Sequence, residues 1–335
     1  MLQTKPSKEK VETLRIEGWR DVRDLLACPR CKSPLSLKEN SSESSLVCKS
    51  EECLEIFPLV ESRPVLICNE RSLFSTEMFL EGKDHRAQEK WKTFLLKFIP
   101  SLSNKPRAKK LCSRLADLLP KDKRALVLVI GSGEEGEGIG ELERHARILN
   151  CDVNHGKNVH LIADGHDLPL KDSSIDAILV QSVLEHVLDP KQVVSEIFRV
   201  LRPKGLVLAD TPQTQQVHEG EYDYTRFTCL GQRWLFKNFE LIDMGASCGP
   251  GMSLAWAYEY FLRSLFKSRL GRRFASLFAH CTAFWLKWLD PLLLERPAAI
   301  DAASQCYFLG RKSESPISEK ELLRDFPGVD VWQKK

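Results

Sequence analysis

Four cysteines near the N-terminus have the spacing of a metal site. They form two short pairs, C-P-R-C at 28–31 and C-x4-C at 48–53, with sixteen residues between the pairs. Such short spacing lets two thiolates in one turn bind the same ion, and two pairs complete a tetrahedral site. Because four thiolates leave no open coordination position, the pattern predicts a structural Zn²⁺ rather than a catalytic one. The predicted ligands are Cys28, Cys31, Cys48 and Cys53.

A second group of residues surrounds a glycine turn. Gly131, Ser132 and Gly133 follow the apolar run 125–130, which is typical of a strand buried on both faces. Glycines at this place let the backbone approach a nucleotide-like ligand closely. The loop that follows is unusually acidic, with glutamates at 134, 135, 137 and 141. Because carboxylates repel a pyrophosphate, the loop favours a cationic sulfonium with an amino-acid tail over a dinucleotide.

Polar residues at the ends of the next three apolar runs complete this predicted site. Asp152 ends the second run, where an acid can accept both ribose hydroxyls. Asp164 follows the third run and is expected to accept from an adenine amino group, with backbone contacts from Gly165 and His166. The end of the fourth run is expected to lie beside the methionine part of the ligand. The strand ends therefore predict a site for S-adenosyl-L-methionine, and the residues at its fourth strand are Gln181 and Ser182.

The segment after the fifth apolar run is rich in titratable and aromatic groups, as expected for the acceptor side. Methyl transfer from a sulfonium is an in-line displacement that needs a base only when the acceptor must lose a proton. His218 is the preferred base, with Tyr222 and Asp223 beside it, and a loop-shaping hydrogen bond is the alternative role for His218. Arg226 is expected to pair with an anionic group of the substrate or with Asp223. His186 is expected to pack or hydrogen-bond locally beneath the site.

The elements that must position these residues can be read from the hydrophobic pattern. Between the fourth and fifth runs lies a helix, with Asp189 as its N-cap and Pro190 in its first turn. Strands alternating with helices predict a doubly wound α/β fold with a mostly parallel sheet of seven strands. The seven predicted strands are 125–130, 147–151, 159–162, 176–180, 205–209, 239–245 and 306–310.

The composition is that of an ordinary globular protein. The chain has 335 residues, of which 43% are hydrophobic and 28% charged, and its formal net charge is +3. This near balance argues against binding nucleic acid by bulk electrostatics. The polar, charged start predicts no secretory signal, and eleven scattered cysteines then indicate a reducing cytoplasm. The longest uncharged stretch near the C-terminus, 274–286, is too short for a bilayer span.

The predicted domain plan is a small module, a helical linker and a large domain. The cysteine module covers 24–68, the linker 84–119 and the large domain 120–312. A helical insertion at 251–296 interrupts the step from the sixth to the seventh strand, and aromatic and basic residues alternate in it. Such a segment suits peripheral contact with an anionic membrane or a lipid-bearing substrate. The alternative is a helical cap packed on the domain.

Two parts of the chain resemble known families. The strings LLACPRCKSPL and LVCKSEECLEIFPLVESRPVLI resemble the Trm112-like zinc-ribbon family, whose members are partners or fused accessories of methyltransferases. Residues 125–245 resemble class I S-adenosylmethionine-dependent methyltransferases of the type 11 branch, because D-x-x-x-LP, S-x-D, LEHV-x-DP and RVLxPxG occur in order. The family's usual acid two residues before the first glycine is replaced by Val129, which weakens the expected contacts to the methionine tail.

These resemblances imply a Rossmann-like methyltransferase domain preceded by a structural zinc ribbon. The function they imply is S-adenosylmethionine-dependent methylation of a small-molecule or lipid/glycan-intermediate acceptor. An RNA methyltransferase with a fused zinc module is one alternative, although the strand end Q-S-V-L at 181–184 differs from the motif used on planar amino groups. A non-catalytic scaffold with the same fold is the other.

Overall fold

The N-terminal module is a small antiparallel sheet. In this computed structural model, which describes residues 15–39, 44–81, 99–121, 124–133 and 136–324, a 3₁₀ helix at Trp19–Leu25 leads into the module. Each strand pairs with the next along the chain. The strands are β1 (Leu35–Glu39), β2 (Ser44–Cys48), β3 (Ile56–Val60) and β4 (Arg63–Leu66).

The large domain is built on seven further strands. Their order is β7-β6-β5-β8-β9-β11-β10, with β11 antiparallel to both of its neighbours and the other pairings parallel. The predicted doubly wound α/β fold is therefore confirmed. The strands are β5 (Ala125–Ile130), β6 (Ala146–Asp152), β7 (Leu161–Ala163), β8 (Ile175–Gln181), β9 (Leu201–Pro212), β10 (Phe239–Cys248) and β11 (Gln305–Lys312).

The two sheets are joined into one. Strand β4 lies parallel to β7, with Val65 opposite Ile162 and Leu66 opposite Ala163, so that the sheet has eleven strands. The edge of β7, whose backbone groups would otherwise be unpaired, is thereby covered. The sequence predicts a separate module at 24–68 and gives no signal for this pairing.

Helices cover both faces of the large sheet. Asp189 caps the predicted helix by accepting hydrogen bonds from the amides of Lys191 and Gln192. Of the predicted linker at 84–119, residues 84–98 lie outside the described residues, and the remainder contains one helix. The α-helices are α1 (Thr76–Leu80), α2 (Ala108–Leu118), α3 (Ile139–Glu143), α4 (Pro190–Val200), α5 (Cys229–Leu235), α6 (Pro250–Ser264), α7 (Arg269–Ala283), α8 (Asp290–Leu293) and α9 (Glu319–Arg324).

Strand β5 shows why the central strands read as continuous apolar runs. All six of its residues are buried. Leu126, Leu128 and Ile130 pack on the side of α4, whereas Val127 and Val129 pack on the side of α2. Since successive side chains point to opposite faces, a strand covered on both sides needs apolar residues at every position.

The segment between β10 and β11 is helical. It contains α6, α7, a 3₁₀ helix at Phe284–Leu289 and α8. The buried residues of α7 are alanines. Three aromatic residues of the insertion, Phe261, Phe274 and Trp288, are more than 60% exposed, whereas Trp256, Tyr258 and Phe284 are partly buried against a small core cluster. Among the residues that the structure describes, no helix is both long and apolar enough to cross a bilayer.

Candidate functional site

The glycine turn after β5 requires glycine at its first position. Gly131 has a φ of +78°, and a Cβ added there would lie 2.2 Å from Cγ2 of Val183. Its amide donates to the carbonyl of Cys151 at 2.9 Å. A side chain would therefore be strained by the backbone and would collide with the loop after β8. Ser132 is buried beside it, while the predicted acidic positions 134 and 135 lie outside the described residues.

Asp152 lies at the end of β6 against this turn. Its Oδ2 accepts a hydrogen bond from the amide of Gly133 at 2.6 Å, and its Oδ1 accepts one from the amide of Asn154 at 2.7 Å. The side chain is 93% buried, as its residue exposure of 7% shows. A carboxylate held by two backbone donors at the mouth of the cleft is a fixed acceptor.

Asp164 lies at the end of β7 in a dense hydrogen-bond network. Its carboxylate accepts from Oγ of Ser72 at 2.5 Å, and from the amide and Nδ1 of His166 at 2.9 and 2.6 Å. Burial opposes ionisation, but the hydrogen bonds from His166 and Ser72 lower the pKa of Asp164 below its usual value. The hydrogen bond to Asp164 raises the pKa of His166. The contact from Ser72 connects the segment after the zinc module to the cleft.

The end of β8 completes the sheet edge that contains the predicted cofactor residues. Ser182 has a left-handed backbone with a φ of +54°, and its amide donates to the carbonyl of Asp210 at 2.8 Å. A Cβ on Gly136 would lie 3.0 Å from Oε1 of Gln181, so the glycine loop and this strand end are in contact. Since β7, β6, β5 and β8 are consecutive in the sheet, all the predicted cofactor residues lie along one edge.

The predicted acceptor-side residues form a connected group after β9. The Arg226 guanidinium binds both oxygens of Asp223, with Nη2 at 2.6 Å from Oδ2, so Arg226 pairs with Asp223. The same Oδ2 accepts from the amide of His218 at 2.6 Å. Burial opposes ionisation of Asp223, but the bonds from Arg226 and His218 hold its pKa below the usual range. The ring of Tyr222 stacks on that of Phe74, with centroids 6.0 Å apart.

A buried glutamate that the sequence interpretation missed lies at the centre of this group. Glu185 is fully buried, and burial raises its pKa to about 8. Its Oε1 lies 3.7 Å from Nε2 of His186 and 3.8 Å from Nε2 of His218. Neither carboxylate oxygen has a hydrogen-bond partner within the described part of the chain. The string L-E-H at 184–186 was the only local sign of this residue in the sequence. It does not show that Glu185 lies close to His218, which comes from a different loop.

The four predicted zinc ligands converge. Sγ of Cys28 lies 3.7 Å from that of Cys53, and Sγ of Cys31 lies 3.4 Å from that of Cys48. All four sulfur atoms lie within 4.8 Å of one another. Zinc–sulfur bonds of about 2.3 Å in a tetrahedron separate the sulfur atoms by about 3.8 Å. The cluster therefore has the donor set and the size of a Cys₄ zinc site.

Comparison with known protein families gives a match inside the large domain. Residues 128–209, which contain the glycine turn and the ends of β6, β7 and β8, match a family model described as "Methyltransferase domain". This segment of the chain therefore resembles a methyltransferase domain, and it lies in the doubly wound sheet.

Individual relatives are similar over parts of the chain. A stretch of 67 residues is 43% identical to a Mycolicibacterium smegmatis protein named "Probable S-adenosylmethionine-dependent methyltransferase", covering 20% of this chain and 23% of that protein. The chain thus spans less than a quarter of the length of that relative. The structure is similar to a Burkholderia thailandensis 1,6-didemethyltoxoflavin-N1-methyltransferase with bound S-adenosylhomocysteine (12% identity, TM-score 0.43, 83% of this chain and 100% of that one). It is also similar to an Archaeoglobus fulgidus SAM-dependent methyltransferase (14% identity, TM-score 0.39, 67% and 100%).

Proposed function

We propose that this protein transfers a methyl group from S-adenosylmethionine to a small-molecule or lipid/glycan-intermediate acceptor. One observation carries the proposal: the residues predicted to bind the methyl donor lie along one sheet edge, inside the segment that matches a methyltransferase domain. Ligands of doubly wound sheets bind in the crevice at the carboxyl ends of the strands.

Each strand end has a role in holding the methyl donor. Asp152 binds the ribose hydroxyls through its fixed carboxylate. Asp164, with Gly165 and His166, receives the adenine. The turn from Gly131 to Gly133 and the residues Gln181 and Ser182 contact the methionine part. The bound donor supplies an electrophilic methyl group on a sulfonium, and the protein supplies its position and excludes water.

The group after β9 acts on the acceptor. His218 lies at the cleft on a loop that Asp223 fixes through the amide of His218. Because Arg226 neutralises Asp223, this carboxylate positions the loop rather than taking a proton itself. Tyr222 supports the same loop through its ring contact with Phe74.

The four-cysteine cluster binds Zn²⁺ in a structural role. A tetrahedral Cys₄ site has no position for a substrate. Its module pairs β4 with β7, the strand that Asp164 directly follows. Zinc binding therefore stabilises one border of the cofactor cleft without taking part in the chemistry.

The insertion supports a lipid-bearing acceptor. The aromatic side chains of Phe261, Phe274 and Trp288 are exposed on α6, α7 and the following 3₁₀ helix. Basic residues border them, including Arg263 at the end of α6 and Arg269 at the start of α7. Aromatic residues with a basic rim bind anionic lipid surfaces through apolar burial and charge attraction.

The proposal is tested by labelling with a methyl donor that carries tritium in its methyl group. Purified protein is incubated with lipid, small-molecule and RNA fractions of its source cells. We expect label in the lipid or small-molecule fraction, and much less with Asp152→Asn than with the exposed control Asp117→Asn. Label only in RNA would contradict the acceptor class. No label in any fraction would contradict methyl transfer.

A further inference from the structure

We propose that Glu185, His186 and His218 bind a divalent transition-metal ion on the acceptor side of the cleft. Glu185 and His186 belong to the 3₁₀ helix Leu184–His186, which begins two residues after Ser182. His218 comes from the loop after β9, the strand next to β8. The ligand atoms of the three residues all lie within 4.8 Å of one another. The cluster is separate from the four cysteines and has a different donor set.

Both imidazoles are oriented to present Nε2. Nδ1 of His186 lies 2.8 Å from the carbonyl oxygen of Tyr222. A carbonyl only accepts, so Nδ1 carries the proton and Nε2 keeps a free lone pair. Metal-binding histidines are typically oriented by a hydrogen bond of this kind from the other ring nitrogen.

His218 is arranged in the same way. Its Nδ1 lies 3.2 Å from the carbonyl oxygen of Gln216 and 3.5 Å from Oδ2 of Asp223. Arg226 is also near this nitrogen, but its Nη2 donates to Asp223 at 2.6 Å and to Gln216 at 3.0 Å. Nδ1 therefore donates to the carbonyl of Gln216, and Nε2 lies 3.8 Å from Oε1 of Glu185. The two rings meet edge to face, with centroids 4.7 Å apart.

Glu185 supplies the third ligand. Its side chain is fully buried, and within the described residues its oxygens have no hydrogen-bond partner. An unpaired buried carboxylate is costly, and a bound cation removes that cost. The 3.7 and 3.8 Å separations from the two imidazoles are too long for hydrogen bonds. They are only slightly wider than the 3–3.5 Å or so between two ligands that are each bonded to one ion at about 2.0–2.2 Å.

Two imidazoles and one carboxylate on one side of an ion leave coordination positions open. This donor set suits Zn²⁺, Mn²⁺, Fe²⁺ and Co²⁺. The side chains of His186 and His218 are 17% and 23% exposed, so a molecule from solvent could reach an ion held by these imidazoles. If the proposed function holds, the ion binds an oxygen of the acceptor and lowers its pKa. His218 then acts on the acceptor through the ion rather than as a base.

The test is a titration of the full chain with Mn²⁺. The concentration of free Mn²⁺ is measured by its electron paramagnetic resonance signal. Mn²⁺ is chosen because a thiolate site prefers softer ions, so the four cysteines compete little for it. We expect about one Mn²⁺ per chain, and displacement by Zn²⁺, which binds such sites more tightly. We expect Glu185→Gln and His218→Ala to weaken Mn²⁺ binding at least about tenfold, whereas the exposed Glu240→Gln changes nothing.

Two results overturn the site. The first is that neither Mn²⁺ nor a second equivalent of Zn²⁺ binds at millimolar metal. The second is that the affinity for Mn²⁺ is unchanged in both variants. If Glu185→Gln does not fold, His218→Ala decides, because His218 lies on a half-buried loop. Metal binding is measured without the methyl donor. A chain that binds the donor but neither Mn²⁺ nor a second equivalent of Zn²⁺ therefore refutes only the ion site, and a chain that binds Mn²⁺ but no donor refutes only the proposed function.

Discussion

The hydrogen bond between the amide of Gly133 and Asp152 connects two parts of the cleft that are distant in sequence. The carboxylate is held by the glycine turn and by Asn154, so it does not have to reorganise to bind a ribose. A fixed acceptor of this kind contributes affinity because it forms charged hydrogen bonds without losing side-chain entropy on binding.

Replacing Asp152 with asparagine should therefore weaken binding of S-adenosylmethionine. Loss of the charged hydrogen bonds is expected to cost about 1–3 kcal/mol of binding free energy. Isothermal titration calorimetry measures the change, with Asp117→Asn on the exposed side of α2 as control. An affinity equal to that of the wild type would reject the assigned role of Asp152.

The His166–Asp164 pair should make stability depend on pH. The raised pKa of His166 means that its contribution is complete below its unfolded pKa, about 6.5, and is lost as pH rises through the folded value. The lowered pKa of Asp164 means that its contribution is present above about 3.9 and is lost as pH falls through the folded value. The pair thus stabilises the fold most between about pH 4 and 6.5.

His166→Ala should accordingly destabilise the protein more at about pH 6 than at about pH 9. Urea unfolding at both pH values measures this difference, and the exposed His145→Ala serves as control. An equal loss of unfolding free energy at the two pH values would show that the ion pair contributes nothing.

At the residue scale, the residues at the strand ends could be predicted from the sequence, whereas Glu185 at the centre of the acceptor group could not. Asp152 and Asp164 could be located because each directly follows a recognisable apolar run. Glu185 lies close to His218, which is more than thirty residues away in sequence, and no local pattern reports such a contact. Arg226 pairs with Asp223, three residues before it, and this pairing was one of two options because the sequence also allowed an anionic group of the substrate as the partner of Arg226.

At the scale of elements, the zinc module is part of the domain rather than an appendage. Besides the β4–β7 pairing, Lys32 forms an ion pair with Glu196 on α4 at 2.9 Å, and Arg71 forms one with Asp167 at 3.1 Å. The amide of Ala27 also donates to the carbonyl of Pro169 at 3.0 Å. Hydrophobic patterning predicted the seven strands of the large domain, but the pairing of β4 with β7 is a long-range contact that patterning does not encode.

Loss of the zinc site should therefore affect the whole fold. Metal analysis is expected to find about one tightly bound zinc in the four-cysteine cluster, and Cys31→Ser should remove it. Because the module covers the edge of β7, thermal unfolding should shift to lower temperature and binding of the methyl donor should weaken.

The matched control is Cys281→Ser, since Cys281 is also exposed but lies on α7. It should change neither the zinc content nor the thermal stability. Full zinc content in the Cys31→Ser protein would contradict the predicted ligand set.

The helices of the insertion should bind anionic membranes. Flotation with liposomes is expected to be stronger with anionic lipid than with neutral lipid, because charge attraction adds to aromatic burial. Burial of one such side chain contributes about 1.5–3 kcal/mol. Trp288→Ser should therefore reduce flotation about tenfold, whereas Leu323→Ser, equally exposed on α9, should not. No flotation with either lipid would favour the alternative of a packed cap.

At the scale of the whole molecule, one continuous sheet connects three sites with different chemistry. The four-cysteine cluster includes Cys48 at the end of β2, the proposed donor site lies at the ends of β7, β6, β5 and β8, and the proposed acceptor group follows β9. The overall charge of +3 is too small to bring substrates to the protein by itself, so local groups must select the acceptor. Composition and family resemblance predicted a cysteine module and a large methyltransferase-like domain. The relative positions of the sites could be seen only in the structure.

The central claim is that the sheet edge from Gly131 to Ser182 binds S-adenosylmethionine. Calorimetric titration of the purified full chain with this compound tests it most directly. We predict saturable binding of about one molecule per chain, which is weakened in Asp152→Asn. The absence of binding at millimolar S-adenosylmethionine, in a protein whose cooperative thermal unfolding shows that it is folded, would contradict the account.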